Sequence, residues 1–580
     1  MLKRKYISLL ILFFLISFAL DAQNSLEKRT RAENVLANRG EVILEFIRPS
    51  QDIFRELSTF LSIDKIDSYK IQAYANRAGF MKFLTYSIPY NLIESPSLEI
   101  KLSASGKGLF TSDFNKYPTY QQYDSIMQAF AQTYPQICTL DTFGLSINGR
   151  LLLAMKISDH VDLDESEPEC MYSSTMHGDE TGGYVLMLRL IHYLLSNYGT
   201  DAQVTALVDS LEIWINPLAN PDGTYHGGDS SVASATRFNA NGIDLNRNFA
   251  DPEDGPHPDG NNYQPENIAM MDFLSQHHFS VSANFHAGEE VVNYPWDTWQ
   301  KRHADDNWFR FISRGYADTV HAYSSNYMIG FDNGITDGYD WYSISGGRQD
   351  YVTYFLQGRE TTIELDYSKI TPESQLGFLW EYNYRSLLNY IKEANYGIHG
   401  FITDSVSHLP VEASIIISGH YQDSSMVFSE VDSGFYVRLI EPGQYNLSIQ
   451  APGYEPGNIY GINVANRQQT RLDVKLKPIG TFIRFEDKPD KMQVFPNPTV
   501  DRVTIKFWVE EPQRIKASLE DISGKAQRLA FENWYNHGWH KEQVNLTGLS
   551  DGIYIICLRG GGFILRRKFI KTGGTNTPKP

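Results

Sequence analysis

Residues 175–182 read TMHGDETG and stand where a short apolar run gives way to a helical pattern. Residues 170–176 are typical of a buried strand, and the run YVLMLRLIHYLL from residue 184 has apolar residues at helical spacing. On the first turn of a helix, His177 and Glu180 would point the same way because they are three residues apart. An imidazole and a carboxylate so placed supply two of the three protein ligands of a catalytic zinc ion. Taken alone, the pair also fits an acidic helix N-terminus.

A candidate third ligand follows about a hundred residues downstream. His286 ends the strand-like run VSANFH, and two imidazoles with one carboxylate are a ligand set of hydrolytic zinc. By itself, His286 would be interpreted as a buried, hydrogen-bonded core residue. Four further stretches favour the metal instead: NPDG (220–223), TRFNANGIDLNRNF (236–249), WYSISGGRQD (341–350) and TIELDY (362–367).

Composition and charge bound the class of protein. The 580 residues are 42% hydrophobic and 13% aromatic, which predicts a globular chain of several domains. A net charge of −18 without any block of basic residues argues against nucleic-acid binding. Three cysteines, Cys138, Cys170 and Cys557, are too few for a fold built on disulfides. Cys138 and Cys170 flank predicted strands and either pair with each other or stay free.

The N-terminal part divides into a leader and a small domain. Residues 1–22 combine a basic start with an apolar run of about 14 residues, which predicts a signal peptide. That run is shorter than the ~20 residues that span a bilayer, and no later segment is long enough, so we expect no transmembrane segment. Residues 23–112 predict a small α/β unit: GEVILEFIRP is strand-like, DIFRELSTFLSI is helical, and AGFMKFLTYSIP is strand-like.

The rest of the chain changes texture twice. In residues 113–396, strands alternate with helical patterns, which predicts an α/β catalytic domain with a mixed, mainly parallel sheet. Residues 397–479 have short alternating strands with Gly and Pro at the turns, as in a β-sandwich. Residues 480–490 are a predicted linker, 491–573 a second C-terminal β-sandwich, and 574–580 a tail.

The motifs of residues 113–396 together resemble the zinc carboxypeptidases related to carboxypeptidase A. The resemblance is closest to the regulatory branch that contains carboxypeptidases D, E and N, and the motifs occur in the family's order. It implies one Zn²⁺ per catalytic domain, bound by His177, Glu180 and His286. It further implies that Glu364 is the general base and that Arg237 polarises the scissile carbonyl.

The same resemblance implies how a peptide end is held. Asn246 and Arg247 are expected to bind the terminal carboxylate, and Tyr342 to close over it. Gln349 and Asp297 are expected in the pocket for the last side chain, where a carboxylate would favour Lys or Arg. The alternative for Asp297 is a loop aspartate that starts a helix. The sequence HAGEE replaces the pair of glycines that usually follows the histidine in the regulatory enzymes.

Two further likenesses concern the C-terminal half. Residues 397–479 resemble the transthyretin-like β-sandwich that follows the catalytic domain in regulatory carboxypeptidases. The stretches VFPNPTVDRVTI, DISGK and LSDGIYIICL resemble the C-terminal sorting domain of the type IX secretion system of Bacteroidetes-type bacteria. Such a protein is secreted or attached to the cell surface. Its partners would be peptide or protein substrates with a free C-terminus, and the type IX machinery.

Alternatives remain at three points. The catalytic domain could be a metal-dependent amidase acting on cell-wall peptides, or a dead scaffold serving as a surface adhesin. Residues 23–112 could be an inhibitory propeptide or an accessory domain. The last segment could be a plain β-sandwich for substrate docking.

Overall fold

The computed structural model of the chain describes residues 26–100, 102, 114–479, 491–510, 512–521, 526–560 and 563–572. The predicted signal peptide, the linker 480–490 and the tail 574–580 lie outside the described residues. The chain divides into two units: residues up to 451 with 455–477, and residues 452–454 with those from 478 onward.

An antiparallel four-stranded sheet, in the order β2-β3-β1-β4, forms the centre of the N-terminal region. The region is therefore a small α/β unit, as predicted. Its elements are α1 (26–39), β1 (Glu41–Ile47), α2 (Gln51–Ser58), β2 (Ser62–Ile66), β3 (Lys70–Asn76), α3 (Arg77–Leu84), β4 (Tyr90–Ile93) and α4 (Pro96–Glu99).

The prediction of a strand for AGFMKFLTYSIP is wrong, because residues 77–84 form the helix α3. The side chain of Asn76 accepts a hydrogen bond from the backbone N–H of Gly79 and so caps the helix. Phe80 and Phe83, three residues apart, are both buried on the face that packs on the sheet. The cap and this spacing outweigh the strand propensity of the aromatic residues.

A mixed eight-stranded sheet forms the centre of the predicted catalytic domain (residues 113–396, called the catalytic region below), in the order β11-β10-β12-β9-β7-β8-β6-β5. Four of its seven neighbouring pairs are parallel, which agrees with the predicted mixed, mainly parallel sheet. The strands are β5 (Cys138–Leu145), β6 (Leu151–Ile157), β7 (Glu169–Ser174), β8 (Glu212–Asn216), β9 (Phe279–His286), β10 (Glu290–Tyr294), β11 (Ile335–Asp337) and β12 (Glu360–Leu365).

Helices cover the sheet. Helix α6 is apolar on nearly all sides, because it packs beside α13 and against the strands β7, β8 and β9. The helices are α5 (Tyr120–Thr133), α6 (Gly182–Asn197), α7 (Ala202–Val208), α8 (Pro221–Thr224), α9 (Pro265–Ser275), α10 (Asp306–His321), α11 (Gly338–Trp341), α12 (Arg348–Phe355) and α13 (Glu373–Lys392), with 3-10 turns at Leu245–Arg247 and Glu393–Asn395.

A bond between Cys138 and Cys170, one of the two possibilities left by the sequence, does not form. Both thiols are free and buried. Cys138 begins β5 and Cys170 lies on β7, and the strands β8 and β6 separate the two in the sheet. Their Sγ atoms instead donate to the carbonyl oxygens of Phe130 and Ile391.

Two small sheets form the region of residues 397–479. One has the order β16-β13-β19, with β20 also on β13, and the other has the order β15-β14-β17-β18. The specific transthyretin-like topology stays a prediction. The strands are β13 (Gly397–Asp404), β14 (Ser414–Ile417), β15 (Val427–Phe428), β16 (Phe435–Arg438), β17 (Gly443–Gln450), β18 (Gly457–Val464), β19 (Gln469–Arg471) and β20 (Val474–Leu476).

Two sheets, β21-β22-β25 and β24-β23-β26-β27, form the C-terminal unit. Ile505, Leu519 and Ile556, from three strands of these sheets, share one buried core, as in a sandwich. The strands are β21 (Met492–Phe495), β22 (Arg502–Val509), β23 (Gln513–Asp521), β24 (Ala526–Tyr535), β25 (Gly538–Asn545), β26 (Gly552–Gly560) and β27 (Phe563–Lys571). Within the described part of the chain, none of the helices has the length and apolarity that crossing a membrane requires.

Candidate active site

The loop between β7 and α6 carries the first two candidate ligands. His177 and Glu180 lie in this turn, before the helix begins at Gly182, so their expected placement on the first helical turn is wrong. Gly178 packs against the backbone of Gly223 so closely that a Cβ atom would lie 2.4 Å from its carbonyl carbon. Only glycine permits this close approach, which holds the non-helical loop against residues 220–223.

The NPDG motif supports this loop from behind. Asn220 donates from Nδ2 to the carbonyl oxygen of Met176, 3.1 Å away, and its Oδ1 accepts from the N–H of Gly223. Thr224 donates to the carbonyl oxygen of Gly178 at 2.8 Å. The motif therefore holds the ligand loop in place and brings no side chain of its own into the cleft.

Three donor atoms converge at the end of the central strands. The Oε2 atom of Glu180 lies 3.0 Å from Nδ1 of His177 and 2.8 Å from Nδ1 of His286, and the two Nδ1 atoms are 3.0 Å apart. All three residues are buried. Two imidazole nitrogens and one carboxylate oxygen at this spacing fit a zinc ion that keeps a fourth position open.

Outer contacts fix the two imidazoles. The Nε2 atom of His177 lies 3.0 Å from Oδ1 of Asp244, and Nε2 of His286 lies 2.7 Å from Nδ2 of Asn284. Such partners orient metal-binding histidines and set their tautomers. Sequence reasoning assigned no role to Asp244, although it stands between Arg237 and Arg247 in the quoted motif. Burial opposes its ionisation, but His177 and Arg237 hold the pKa of Asp244 well below its ordinary value.

Glu364 lies beside the ligands because β12 and β9 pair in parallel, with Glu364 opposite His286. Its Oε2 atom is shielded from solvent and has no hydrogen-bond partner among the described residues. Burial and the charge of Glu180 raise the pKa of Glu364 well above its ordinary value, while Lys369 and Arg237 lower it less. A carboxylate with this environment is a proton acceptor of increased basicity.

Arg237 reaches the donor set directly. Its NH1 atom lies 2.8 Å from Oε1 of Glu180, the oxygen that faces away from the two histidines. Lys369 donates to the same oxygen at 2.8 Å and is buried, but sequence reasoning missed it. The available signal was a lone basic residue five positions after Glu364.

The expected carboxylate clamp lines the same cleft. Arg247 donates from NH1 to the carbonyl oxygen of Asn246 at 2.8 Å. The side-chain Oδ1 of Asn246 accepts from the backbone N–H of Arg348 at 2.9 Å. Tyr342 lies on the cleft wall and also contacts the hydrophobic core of the N-terminal region. Burial raises the pKa of Tyr342 to about 12.

The two candidate pocket residues are placed differently. Asp297 lies on the cleft wall, buried, and its Oδ1 accepts from Nδ2 of Asn293 at 2.9 Å. Burial raises the pKa of Asp297 to about 6. Gln349 lies behind the wall, where its Oε1 accepts from the N–H of Thr362 at 2.8 Å. The structure therefore brings Asp297 to the cleft and leaves Gln349 one layer back.

The N-terminal region occupies this cleft. Strand β2 inserts Asp64, whose Oδ1 lies 2.5 Å from Nζ of Lys369 and 3.7 Å from NH1 of Arg237. Ser62 hydrogen-bonds both Asp244 and Arg237, the latter at 2.6 Å. No sequence signal pointed to these contacts, because the partners stand more than 170 residues apart.

Comparison with known proteins places two segments of the chain. Residues 123–386 match the zinc carboxypeptidase family, and residues 493–572 match the secretion system C-terminal sorting domain. Human carboxypeptidase D is 34% identical over 387 residues, which are 62% of this chain and 27% of that protein. The chain thus spans about a quarter of that relative's length.

Shorter relatives are covered almost completely. Mouse carboxypeptidase M is 33% identical over 424 residues, which are 70% of this chain and 93% of that protein. The crystal structure of carboxypeptidase A from Helicoverpa armigera covers 61% of this chain and 98% of its own, at 21% identity and a TM-score of 0.47. On the extent of these sequence matches, the chain belongs to the zinc carboxypeptidase family.

Proposed function

We propose that this chain is an exported zinc metallocarboxypeptidase that removes the last residue of peptides and proteins, with a preference for Lys or Arg. The observation that carries the proposal is the set of side chains that line one cleft. It is lined by a His-Glu-His donor set, a carboxylate base, two arginines and a buried aspartate: His177, Glu180, His286, Glu364, Arg237, Arg247 and Asp297.

Recognition of the peptide end falls to Arg247 and Asn246. A planar guanidinium can form two parallel charge-assisted bonds with a carboxylate, and the amide adds a neutral donor. An amidase acting within a chain would have no use for this pair. The site therefore favours substrates with a free C-terminal carboxylate over the amidase alternative.

The chemistry requires a base, an acid and a cation. When bound, zinc lowers the pKa of a water molecule to about 7 and polarises the scissile carbonyl. Glu364 takes a proton as the water oxygen bonds to the carbonyl carbon, and the C=O electron pair moves to oxygen. Arg237 faces that oxyanion. When the C=O bond re-forms, the C–N bond breaks, and Glu364 returns the proton to the leaving nitrogen.

Asp297 is the proposed determinant of basic specificity. Its carboxylate accepts from Asn293 at 2.9 Å, and the charge of Arg247 partly offsets the effect of burial on its pKa. Glycine at position 338 leaves room for this carboxylate, because a Cβ atom there would lie 1.9 Å from its Oδ1. A cationic side chain entering the pocket would gain a charge-assisted bond of ~1.5 to 3 kcal/mol. Asp297→Ala should therefore cut kcat/KM for peptides ending in Arg about ten- to two-hundredfold more than for those ending in Phe.

The activity test uses the exported, processed protein on matched peptides ending in Lys, Arg, Phe or Ala, with and without a chelator. We expect chelator-sensitive release of the last residue, fastest for Arg and Lys. Glu364→Gln is the matched control: it should keep one zinc per chain and lose turnover at least about a thousandfold. Activity that survives chelation, or Glu364→Gln within tenfold of wild type, would refute the proposal.

We also propose that the N-terminal region is an inhibitory propeptide. Asp64, Ser62 and Tyr74 support this, because they bind Lys369, Arg237 and Asp179 inside or beside the cleft. The test places a site-specific protease sequence within residues 103–113 of the full chain. Cutting and dilution should release the activity, whereas equal activity before and after cutting would identify an accessory domain.

Export through the type IX system is the third part of the proposal and rests on the match of residues 493–572. Deleting residues 491–580 should leave the protein in the periplasm of a host that has this system. Wild-type amounts of the truncated chain in the medium would rule out a sorting role. The predicted signal peptide would account only for passage across the inner membrane.

A further inference from the structure

We propose that Lys369 is a second cation for the carbonyl oxygen of the scissile bond, acting beside Arg237. The inference rests on the proposed carboxypeptidase function and adds a catalytic residue to it. Lys369 follows β12 and lies under the ligand loop, because its carbonyl oxygen accepts from the N–H of Thr181 at 3.0 Å. Its position is thus fixed by the same loop that carries His177 and Glu180.

The ammonium group of Lys369 has three donor hydrogens and three acceptors within reach. Glu180 Oε1 lies at 2.8 Å, the carbonyl oxygen of Ala287 at 3.4 Å, and Asp64 Oδ1 at 2.5 Å. The first two acceptors belong to the catalytic region. Asp64 alone comes from the N-terminal region, and it lines the cleft, so its departure would free the Lys369 hydrogen that is directed toward Asp64.

The Asp64 carboxylate occupies the position that we infer for the oxyanion of the reaction. Its Oδ1 atom lies within 4 Å of both Lys369 and Arg237, the two cations nearest the donor set. In the proposed reaction, negative charge appears on the carbonyl oxygen when water adds to the carbon and the C=O pair moves to oxygen. A carboxylate oxygen held between two cations is therefore a stand-in for that oxyanion.

Burial makes this cation effective. Lys369 is 4% exposed, so an anion beside it is poorly screened by water. The charge is also in place before the substrate arrives, because Glu180 and the carbonyl oxygen of Ala287 hold the ammonium group. Such preorganised donors stabilise a transition state more than the neutral substrate.

The test uses the full chain with the engineered protease site, cut and freed of its N-terminal fragment. Lys369→Met removes the charge and keeps the length, and Lys369→Arg keeps the charge. For Lys369→Met on a peptide ending in Arg, we expect kcat to fall about a hundredfold and KM to change less than threefold. The affinity for a phosphinate peptide, which mimics the tetrahedral anion, should fall by a similar factor. Lys369→Arg should recover at least a tenth of wild-type kcat.

Two measurements exclude a purely structural role. Zinc content should stay at one ion per chain in Lys369→Met, and Lys392→Met, an exposed lysine at the end of α13, should change nothing. The inference falls if Lys369→Met keeps kcat within threefold of wild type. It also falls if phosphinate binding is unchanged, or if kcat falls only in proportion to lost zinc. A wild-type chain without zinc-dependent activity would instead overturn the proposed function itself.

Discussion

Within the first unit, the N-terminal region and the β13–β20 region both pack against the catalytic region. The two interfaces differ in how fully nearby cations compensate their buried carboxylates. The β13–β20 region meets the catalytic region around Asp305, which accepts from Arg359 at 2.7 Å, from Arg438 at 2.9 Å and from His420 at 2.7 Å. Burial opposes ionisation of Asp305, but Arg438 and Arg359 hold its pKa well below the ordinary value. The carboxylate of Asp305 is thus fully compensated by the two guanidinium groups.

The N-terminal region holds a buried carboxyl group that is compensated more weakly, because its nearest cation, NH2 of Arg39, lies 3.8 Å from Oε1 of Glu41. Glu41 accepts from the N–H of Phe238 at 3.2 Å through Oε2, while Oε1 has no hydrogen-bond partner among the residues described. Burial, and then the charge of Asp179, raise the pKa of Glu41 to about 8. A fully compensated carboxylate such as that of Asp305 suits a permanent partner, and a weakly compensated one such as that of Glu41 suits a partner that leaves. The four predictions below test this contrast.

The largest effect is expected at the permanent interface. Asp305→Ala leaves Arg359 and Arg438 buried without their carboxylate, which should lower the free energy of unfolding by about 3–5 kcal/mol. The measurement is the shift of the denaturant midpoint. Asp423→Ala, which removes the exposed ion pair with Lys301 across the same two regions, should cost less than about 1 kcal/mol. Equal losses for the two variants would contradict the contrast.

Asp64→Asn in the uncut chain should weaken docking of the N-terminal region by about 2 kcal/mol, because two buried cations lose their carboxylate. The activity of the uncut chain should therefore rise about thirtyfold. Asp52→Asn, at an exposed position in the first turn of α2, is the charge-matched control and should leave it unchanged. An uncut Asp64→Asn chain as silent as wild type would mean that Asp64 does not hold the region in place.

Docking should weaken as pH rises. The pKa of Glu41 is about 8 when docked, against an ordinary value of 4.5, so docking takes up a proton between these values. The contribution of Glu41 to docking is fully present below pH 4.5. Between pH 4.5 and pH 8 the docking equilibrium constant falls by up to tenfold per pH unit, and above pH 8 the contribution is lost. The ratio of uncut to cut activity at each pH measures this. Glu41→Gln should flatten the profile, and a wild-type ratio constant from pH 6 to 8 would refute the assignment.

The smallest effect is expected at the rim. Glu289 lines the cleft, and Lys65 of β2 lowers its burial-raised pKa. Glu289→Gln should weaken docking by up to about fivefold, as for a partly exposed pair. Glu290→Gln is the neighbouring control, because the Oε2 of Glu290 accepts from the N–H of Met328 and the amide oxygen can still do so. If both variants behave alike, Lys65 has no specific partner at the rim.

The sequence predicted the three candidate metal ligands better than the residues that surround them. His177, Glu180 and His286 converge as expected, because they follow or end the adjacent parallel strands β7 and β9, whose carboxyl ends meet at one edge of the sheet. Such strands can be recognised from the local sequence pattern. No pattern pointed to Asp64, and the only signal for Lys369 was its place five positions after Glu364, because the contacts of both residues join segments that are distant in the chain. The role of Gln349 was predicted from the family resemblance alone. A resemblance in sequence does not show whether a side chain faces the cleft or lies behind the cleft wall.

The hydrogen bond from the N–H of Arg348 to Asn246 Oδ1 has a consequence for peptide chemistry. With its oxygen engaged, the amide of Asn246 can turn only its NH₂ group to the cleft, and Arg247 likewise has only hydrogens to offer. A terminal carboxylate, which only accepts, satisfies both. A peptide whose end is capped as a primary amide would set NH₂ against NH₂ and leave polar groups unpaired. If the proposed carboxypeptidase activity holds, C-terminal amidation should therefore protect a peptide from cleavage even when every other residue fits.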